Sequence, residues 1–184
     1  MNKTPLLFLA FSALLGLQGC ASTGSTAEQA PARSVATQRI DDAIRDTIVL
    51  RQNDTAGLLR SHINVDVFNG NVVLSGQTSS PALVSQAEQI ARGVNGTRNL
   101  YNGLVVAKNT PTWRRIQDSW ITARVYNGID NAPLSPRNRV HVITENGTVF
   151  MMGNIQRYEA DGLANIAARV GGVNAVVKVF EYTD

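Results

Sequence analysis

A short hairpin written twice constrains this chain more than any other feature. The first copy runs from Ile63 to Gly76 (INVDVFNGNVVLSG) and the second from Val140 to Gly153 (VHVITENGTVFMMG). In each, apolar residues alternate, an Asn-Gly pair interrupts them, alternation resumes and a glycine closes the unit. Alternation at period two makes a half-buried strand. Asn-Gly suits a type I′ turn, whose two central residues need positive φ. Asn69 and Asn146, Gly70 and Gly147, and Gly76 and Gly153 each stand 77 residues apart. That interval is a duplicated domain, longer than a solenoid repeat.

The flanks repeat too. Ile40, Ile44 and Ile48 recur at helical spacing before the first hairpin, with Asp41 and Asp42 near the start, where acids favour a helix N-terminus. Ser79-Ser80-Pro81 opens a second helix through Leu83, Ala87, Ile90, Ala91 and Val94, and Asn95-Gly96 stops it. A third strand follows at about 98–106. The order α-β-β-α-β then returns, with Asp118, Ile121 and Val125 standing 77 after Asp41, Ile44 and Ile48. The next helix spans about 157–170 and the last strand 173–182. One residue is lost between the second hairpin and its helix, since Ile90 and Ile166 stand 76 apart.

Residues 1–19 read as a leader: Lys3 is the only charge, and Leu6 to Leu17 is an apolar run too short to span a bilayer. Leu17-Gln18-Gly19-Cys20 resembles the bacterial lipobox, which makes Cys20 the expected lipidation site and the new N-terminus. Cys20 is the chain's one cysteine, so an internal disulfide is excluded. Ala21 and Ser22 follow it, a pattern similar to outer-membrane sorting. Residues 20–38 form the expected lipidated cysteine and a polar tether. Its eighteen residues after Cys20 have a typical span of roughly 20–25 Å. The remaining boundaries are domain 1 at 39–107, a linker at 108–117 and domain 2 at 118–184.

The pattern Val65 to Gly76 with Gly96-Thr97, and Val142 to Gly153 with Gly172-Val173, resembles the BON domain. The resemblance covers about 39–182; Thr97 departs from the usual Gly-Val. It implies an α+β fold of two tandem BON domains, each a three-stranded sheet packed against two helices. Behind a lipobox, two such domains resemble the dual-BON outer-membrane lipoproteins.

Catalysis is not expected. Only His62 and His141 are available, and His141 alternates with Val140 and Val142, so it should point outward from its strand. No CxxC, HExxH, G-x-S-x-G or P-loop pattern occurs, so no metal, cofactor or phosphate cradle is expected.

A binding surface is the better expectation, and the duplication serves as a control. Domain 1 balances six arginines against six acids, whereas residues 108–139 set Lys108, Arg114, Arg115, Arg124, Arg137 and Arg139 against Asp118 and Asp130, a net of +4. Both tryptophans, Trp113 and Trp120, lie there as well. On the first helix of domain 2, Ile121, Val125 and Ile129 make the core side, and Trp120, Arg124 and Asn127 make a neighbouring stripe. Ala43 and Thr47 stand where Trp120 and Arg124 do in domain 1. Trp suits a bilayer interface and Arg an anionic headgroup. The bland alternative has Trp120 packed on domain 1 or the linker and the arginines solvated. Trp113, Arg114 and Arg115 either extend the patch or only join the domains.

The family resemblance implies that this helix contacts anionic phospholipid, such as phosphatidylglycerol or cardiolipin, through Trp120 and its neighbours Arg124, Tyr126 and Asn127. Tyr126 and Asn127 differ from what the resemblance leads one to expect at those positions. It also implies a role in outer-membrane integrity and at division sites, facing the periplasm. The competing class is an adaptor docking an envelope assembly factor or a cell-wall amidase regulator. A basic aromatic patch also suits nucleic acid, but the leader places the chain outside the cytoplasm, so no nucleic-acid partner is expected.

Overall fold

A computed structural model describes residues 33–132 and 135–184. The leader, Cys20 and most of the tether lie outside the described residues. The first unit runs α1 (Val35–Asn53), β1 (His62–Phe68), β2 (Asn71–Thr78), α2 (Pro81–Arg92) and β3 (Asn99–Val106). The second runs α3 (Thr112–Asp130), β4 (Val140–Glu145), β5 (Thr148–Ile155), α4 (Arg157–Ala168) and β6 (Ala175–Tyr182). The expected α+β tandem of α-β-β-α-β units is what the chain forms. Each sheet has its hairpin antiparallel and its third strand parallel to the central one, in the orders β1-β2-β3 and β4-β5-β6.

Both Asn-Gly turns have positive φ at both central residues: 51° and 75° at Asn69 and Gly70, 49° and 77° at Asn146 and Gly147. A buried carboxylate grips each turn. Asp41 accepts from the N–H groups of Asn69 and Gly70, both at 2.8 Å. Asp118 accepts from those of Asn146 and Gly147, at 2.7 and 2.9 Å. This corrects the reading of Asp41 as a helix-start residue. The helix begins earlier, at Val35, where Ser34 Oγ accepts the Thr37 N–H. Asp41 then turns inward and Ile40 stays 60% exposed. The glycines that close the hairpins are set by close backbone approach. A Cβ on Gly76 would come 2.0 Å from the His62 carbonyl oxygen, and one on Gly153 would come 2.6 Å from that of Arg139.

Each unit has its own core between helices and sheet: Ile44, Ile48, Val65, Leu74 and Ala87 in the first, Ile121, Val125, Val142, Met151 and Leu163 in the second. The strands were read as half-buried, yet every residue of β2 is buried. The reason is a third apolar cluster. Phe68, Val73, Phe150, Met152 and Val179 join the two sheets face to face. Gly103 belongs to this contact, since a Cβ there would lie 2.7 Å from the Phe150 ring.

Polar bridges close the ends of the sandwich. Glu181, near the end of β6, accepts from Asn69 and Asn71 at 3.2 and 3.0 Å and pairs with Arg98 at 3.0 Å. Glu145, at the end of β4, accepts from Gln77, Asn64 and Thr110 at 2.7, 2.9 and 3.0 Å. Each turn thus lies against the far end of the other sheet, and the two central strands run in opposite directions.

Candidate functional site

Part of the stretch expected as a linker, 108–117, is helical. Residues 107–111 separate β3 from α3, which begins at Thr112. They are pinned rather than loose: the Thr110 N–H donates to Gln77 Oε1 at 2.7 Å, Asn109 Nδ2 donates to the Arg60 carbonyl at 3.0 Å, and Arg115 Nε donates to the Thr110 carbonyl at 3.0 Å.

This start places Trp113 on the same helix as Trp120. At 100° per residue, Trp113, Ile116, Trp120, Arg124 and Asn127 fall within one narrow stripe, away from the core stripe of Ile121, Val125 and Ile129. The exposures are high: 65% for Trp113, 56% for Ile116 and 66% for Trp120. Trp120 therefore does not pack on domain 1 or the linker, as the bland alternative required. Three large apolar side chains stand bare along about 10 Å of helix, beside a shallow groove whose rim reaches Arg124 and Gly171. The counterparts on α1, 77 residues earlier, are Ala36, Arg39, Ala43, Thr47 and Leu50. Ile116 and the helical placement of Trp113 are what sequence reasoning missed. Their offset from Trp120 was the available signal, hidden by the assumed linker.

Bonds within the chain take up much of the basic excess. Arg139 is buried, bonded to Glu159 at 2.7 and 3.1 Å. Arg137 pairs with Asp130 and lies 3.5 Å over the Tyr126 ring. Arg114 donates to Asn146 and Gln117. Arg124 makes no hydrogen bond or ion pair among the described residues, so its charge is free to meet a ligand beside the tryptophans.

Of the other expected site residues, Tyr126 is half-buried, and its hydroxyl oxygen accepts the Val142 N–H at 2.8 Å. It is held against the domain 2 core, on the helix side away from the tryptophans. Asn127 is exposed at the far end of the stripe, and its side chain accepts from Asn131 at 2.8 Å.

Each histidine reaches toward a carboxylate of the other domain. His141 Nε2 lies 3.2 Å from Asp66 and His62 Nε2 lies 3.6 Å from Glu145. His141 does point outward from its own strand, and domain 1 covers that face only in part, leaving its side chain 40% exposed. Among the described residues, no group of three or more potential metal ligands forms.

Two small α/β units stacked sheet to sheet, with a bare aromatic helix on one outer layer, make a tandem-domain protein organised around a surface. Both units match the BON domain, at residues 37–108 and 117–184, and the chain belongs to the BON-domain family. It is 31% identical to the outer membrane lipoprotein DolP of Haemophilus influenzae, over 100% of both chains. It is 32% identical to a 21 kDa hemolysin of Actinobacillus pleuropneumoniae, over 82% of this chain and 78% of that one. The C-terminal domain of CdsD, a type III secretion protein of Chlamydia trachomatis, covers 78% of this chain and 67% of its own at 16% identity. Its TM-score of 0.31 is too low to bear on this chain. The full-length likeness places the chain among outer-membrane lipoproteins with two BON domains.

Proposed function

We propose that this chain is anchored through Cys20 in the outer membrane, faces the periplasm, and reads anionic phospholipid with the outer stripe of α3. The observation that carries this is the bare row Trp113, Ile116 and Trp120 next to Arg124, which has no ion pair among the described residues, on a helix whose counterpart in domain 1 lacks both tryptophans. An indole ring is apolar with a polar N–H, which suits the headgroup region. Burying one ring contributes up to about 4–6 kcal/mol by area, and a basic side chain near an anionic surface about 1 kcal/mol. These magnitudes suit a reversible second contact for a chain already held by acyl groups. The role in envelope integrity and at division sites belongs to the same proposal, as places where such lipids act.

The test is sedimentation of the chain from Ala21 onward, which holds both cores, with phosphatidylglycerol vesicles and with neutral vesicles. Binding is expected to the anionic vesicles alone, to weaken with salt, and to fall at least ten-fold in Trp120→Ala with circular dichroism unchanged. Arg124→Ala should cost about five-fold, the equivalent of one basic contact. Equal binding of Trp120→Ala and parent, or no binding to either vesicle, would overturn the proposal and point to a protein docked on α3.

A further inference from the structure

Four strands form the edges of the two sheets: β1, β3, β4 and β6. An exposed edge presents unpaired N–H and C=O groups, and proteins usually guard it with charge. β1 carries His62 and Asp66, β4 carries His141 and Glu145, and β6 carries Lys178 and Glu181. β3, eight residues of Asn-Leu-Tyr-Asn-Gly-Leu-Val-Val, carries no charge and no proline. Among the described residues nothing pairs with its outer side.

The orientation of β3 follows from its register. The Ala107 N–H bonds the Thr78 carbonyl, so odd-numbered residues turn their backbone toward β2, and Leu100, Asn102, Leu104 and Val106 turn theirs outward. One outward N–H, that of Leu104, is taken by the Asn102 side chain at 3.1 Å. The side chains divide the opposite way. Leu100 and Leu104 enter the domain 1 core, while Tyr101, Gly103 and Val105 face the second sheet. That sheet leaves them half covered: Tyr101 is 44% and Val105 49% exposed. They border an apolar crevice of about 280 Å³, closed on the other side by Phe150 and Val177. The duplication sharpens the contrast. Glu181 stands 76 residues after Val105 and bridges its end of the sandwich with three bonds to domain 1. Val105 bridges nothing.

We propose that β3 is a self-association edge, and that a second copy of this chain pairs with it antiparallel about a two-fold axis at Gly103. In this register the residue numbers of opposed partners sum to 206. The outward-facing residues then make the hydrogen-bonded pairs, Leu100 with Val106 and Asn102 with Leu104 of the other copy. The pairs without hydrogen bonds are Gly103 with itself and Tyr101 with Val105. In such pairs the side chains approach most closely, with Cα atoms about 4.5 Å apart. Tyr101 against Val105 is an aromatic on a β-branched residue, a favourable cross-strand contact. It occurs twice by symmetry and covers both half-exposed side chains of each copy. β3 itself brings no charge to the pairing, and the nearest one, the Glu88 carboxylate that accepts from Asn102 at 2.9 Å, is paired with Arg92 at 2.9 Å. To complete the ladder each copy moves its Asn102 side chain away from the Leu104 N–H, which it accepts at 3.1 Å, and from Glu88, to which it donates at 2.9 Å. Confinement of acylated copies to one membrane raises their effective concentration for this pairing.

Two single-cysteine variants test the register, Tyr101→Cys and Val105→Cys in the chain from Ala21 onward, which has no other cysteine. Under mild oxidation the mixture should give a disulfide-linked dimer. Each variant alone should give little, because like positions sit four residues out of register, roughly 13 Å apart. In sedimentation velocity on the uncrosslinked chain, the parent should form a concentration-dependent dimer. Tyr101→Lys and Val105→Glu should each be monomeric with unchanged circular dichroism, and mixing them should restore the dimer. Both sites are half-exposed, so the folds of these variants are not at risk. A parent that stays monomeric free in solution and on vesicles, or cross-linking that ignores which cysteines are mixed, would overturn the proposal. So would exclusive cross-linking in cells to a different envelope protein.

Discussion

Asp41 and Asp118 show what one side chain does when a turn must be buried. A type I′ turn leaves two N–H groups pointing away from its own ladder, and each aspartate accepts both. Hydrogen bonds to charged groups are worth roughly 1.5–3 kcal/mol each. Asp118→Asn keeps one acceptor and turns an N–H₂ toward the other donor. The urea midpoint should therefore fall by an amount equivalent to about 1.5–3 kcal/mol, with the slope unchanged. The pair of buried Arg139 and partly buried Glu159 makes a pH prediction. Hydrogen bonds from Arg139 hold the Glu159 carboxyl below the usual range, helped by the Gln156 N–H and opposed by burial. The unfolded chain then binds the extra proton first. The contribution is complete above the unfolded value, about 4.3, and is lost as pH falls through the lower folded value. Denaturation midpoints measured across the acid range should therefore drop less steeply below about pH 4 in Glu159→Gln than in the parent.

At the scale of the element, the helices and strands were legible because their signals are local. Ser80-Pro81 does open α2, with Ser80 Oγ accepting the Leu83 N–H. Asn-Gly does make both turns. The misreadings came where a signal is not local. The first turns of α3 fell within the stretch read as a linker, because Trp113 and Ile116 lie off the core stripe; Thr110 bonds across to Gln77 of domain 1, and Arg115 bonds back to the Thr110 carbonyl. The pairing of Asp41 with Asp118 at 77 was visible, but its meaning needed the turn in three dimensions. Charge counting likewise credited Arg137 and Arg139 to a surface patch, although one is paired and the other buried. For α3 itself, the bare stripe makes Trp113 and Ile116 contributors equal in kind to Trp120. Trp113→Ala should reduce partition onto anionic vesicles by a factor similar to that of Trp120→Ala. The double variant should abolish measurable sedimentation while the unfolding free energy stays within about 0.5 kcal/mol of the parent, as for exposed positions generally.

At the scale of the molecule, the duplicated units are not beads on a string. Phe68, Val73, Phe150, Met152 and Val179 share one core between the sheets, and Glu145 ties Asn64, Gln77 and Thr110 together at one end of it. No periodicity within one unit announces this contact, because the residues that make it read as the ordinary outer face of a sheet. A shared core predicts shared cooperativity: the parent should melt in a single calorimetric transition. Val73 is fully buried in the shared cluster, whereas its neighbours Val72 and Leu74 belong to the core of domain 1. Val73→Asp places a charge between the sheets, which is tolerated only if they part. Each unit then keeps its own core, so the single transition should split into two. Vesicle binding separates a local surface from one built by both domains. Trp113, Ile116 and Trp120 stand on the layer of domain 2 that faces away from domain 1. Val73→Asp should therefore bind anionic vesicles nearly as well as the parent, despite its altered melting. Loss of vesicle binding together with the split would mean that domain 1 forms part of the membrane surface.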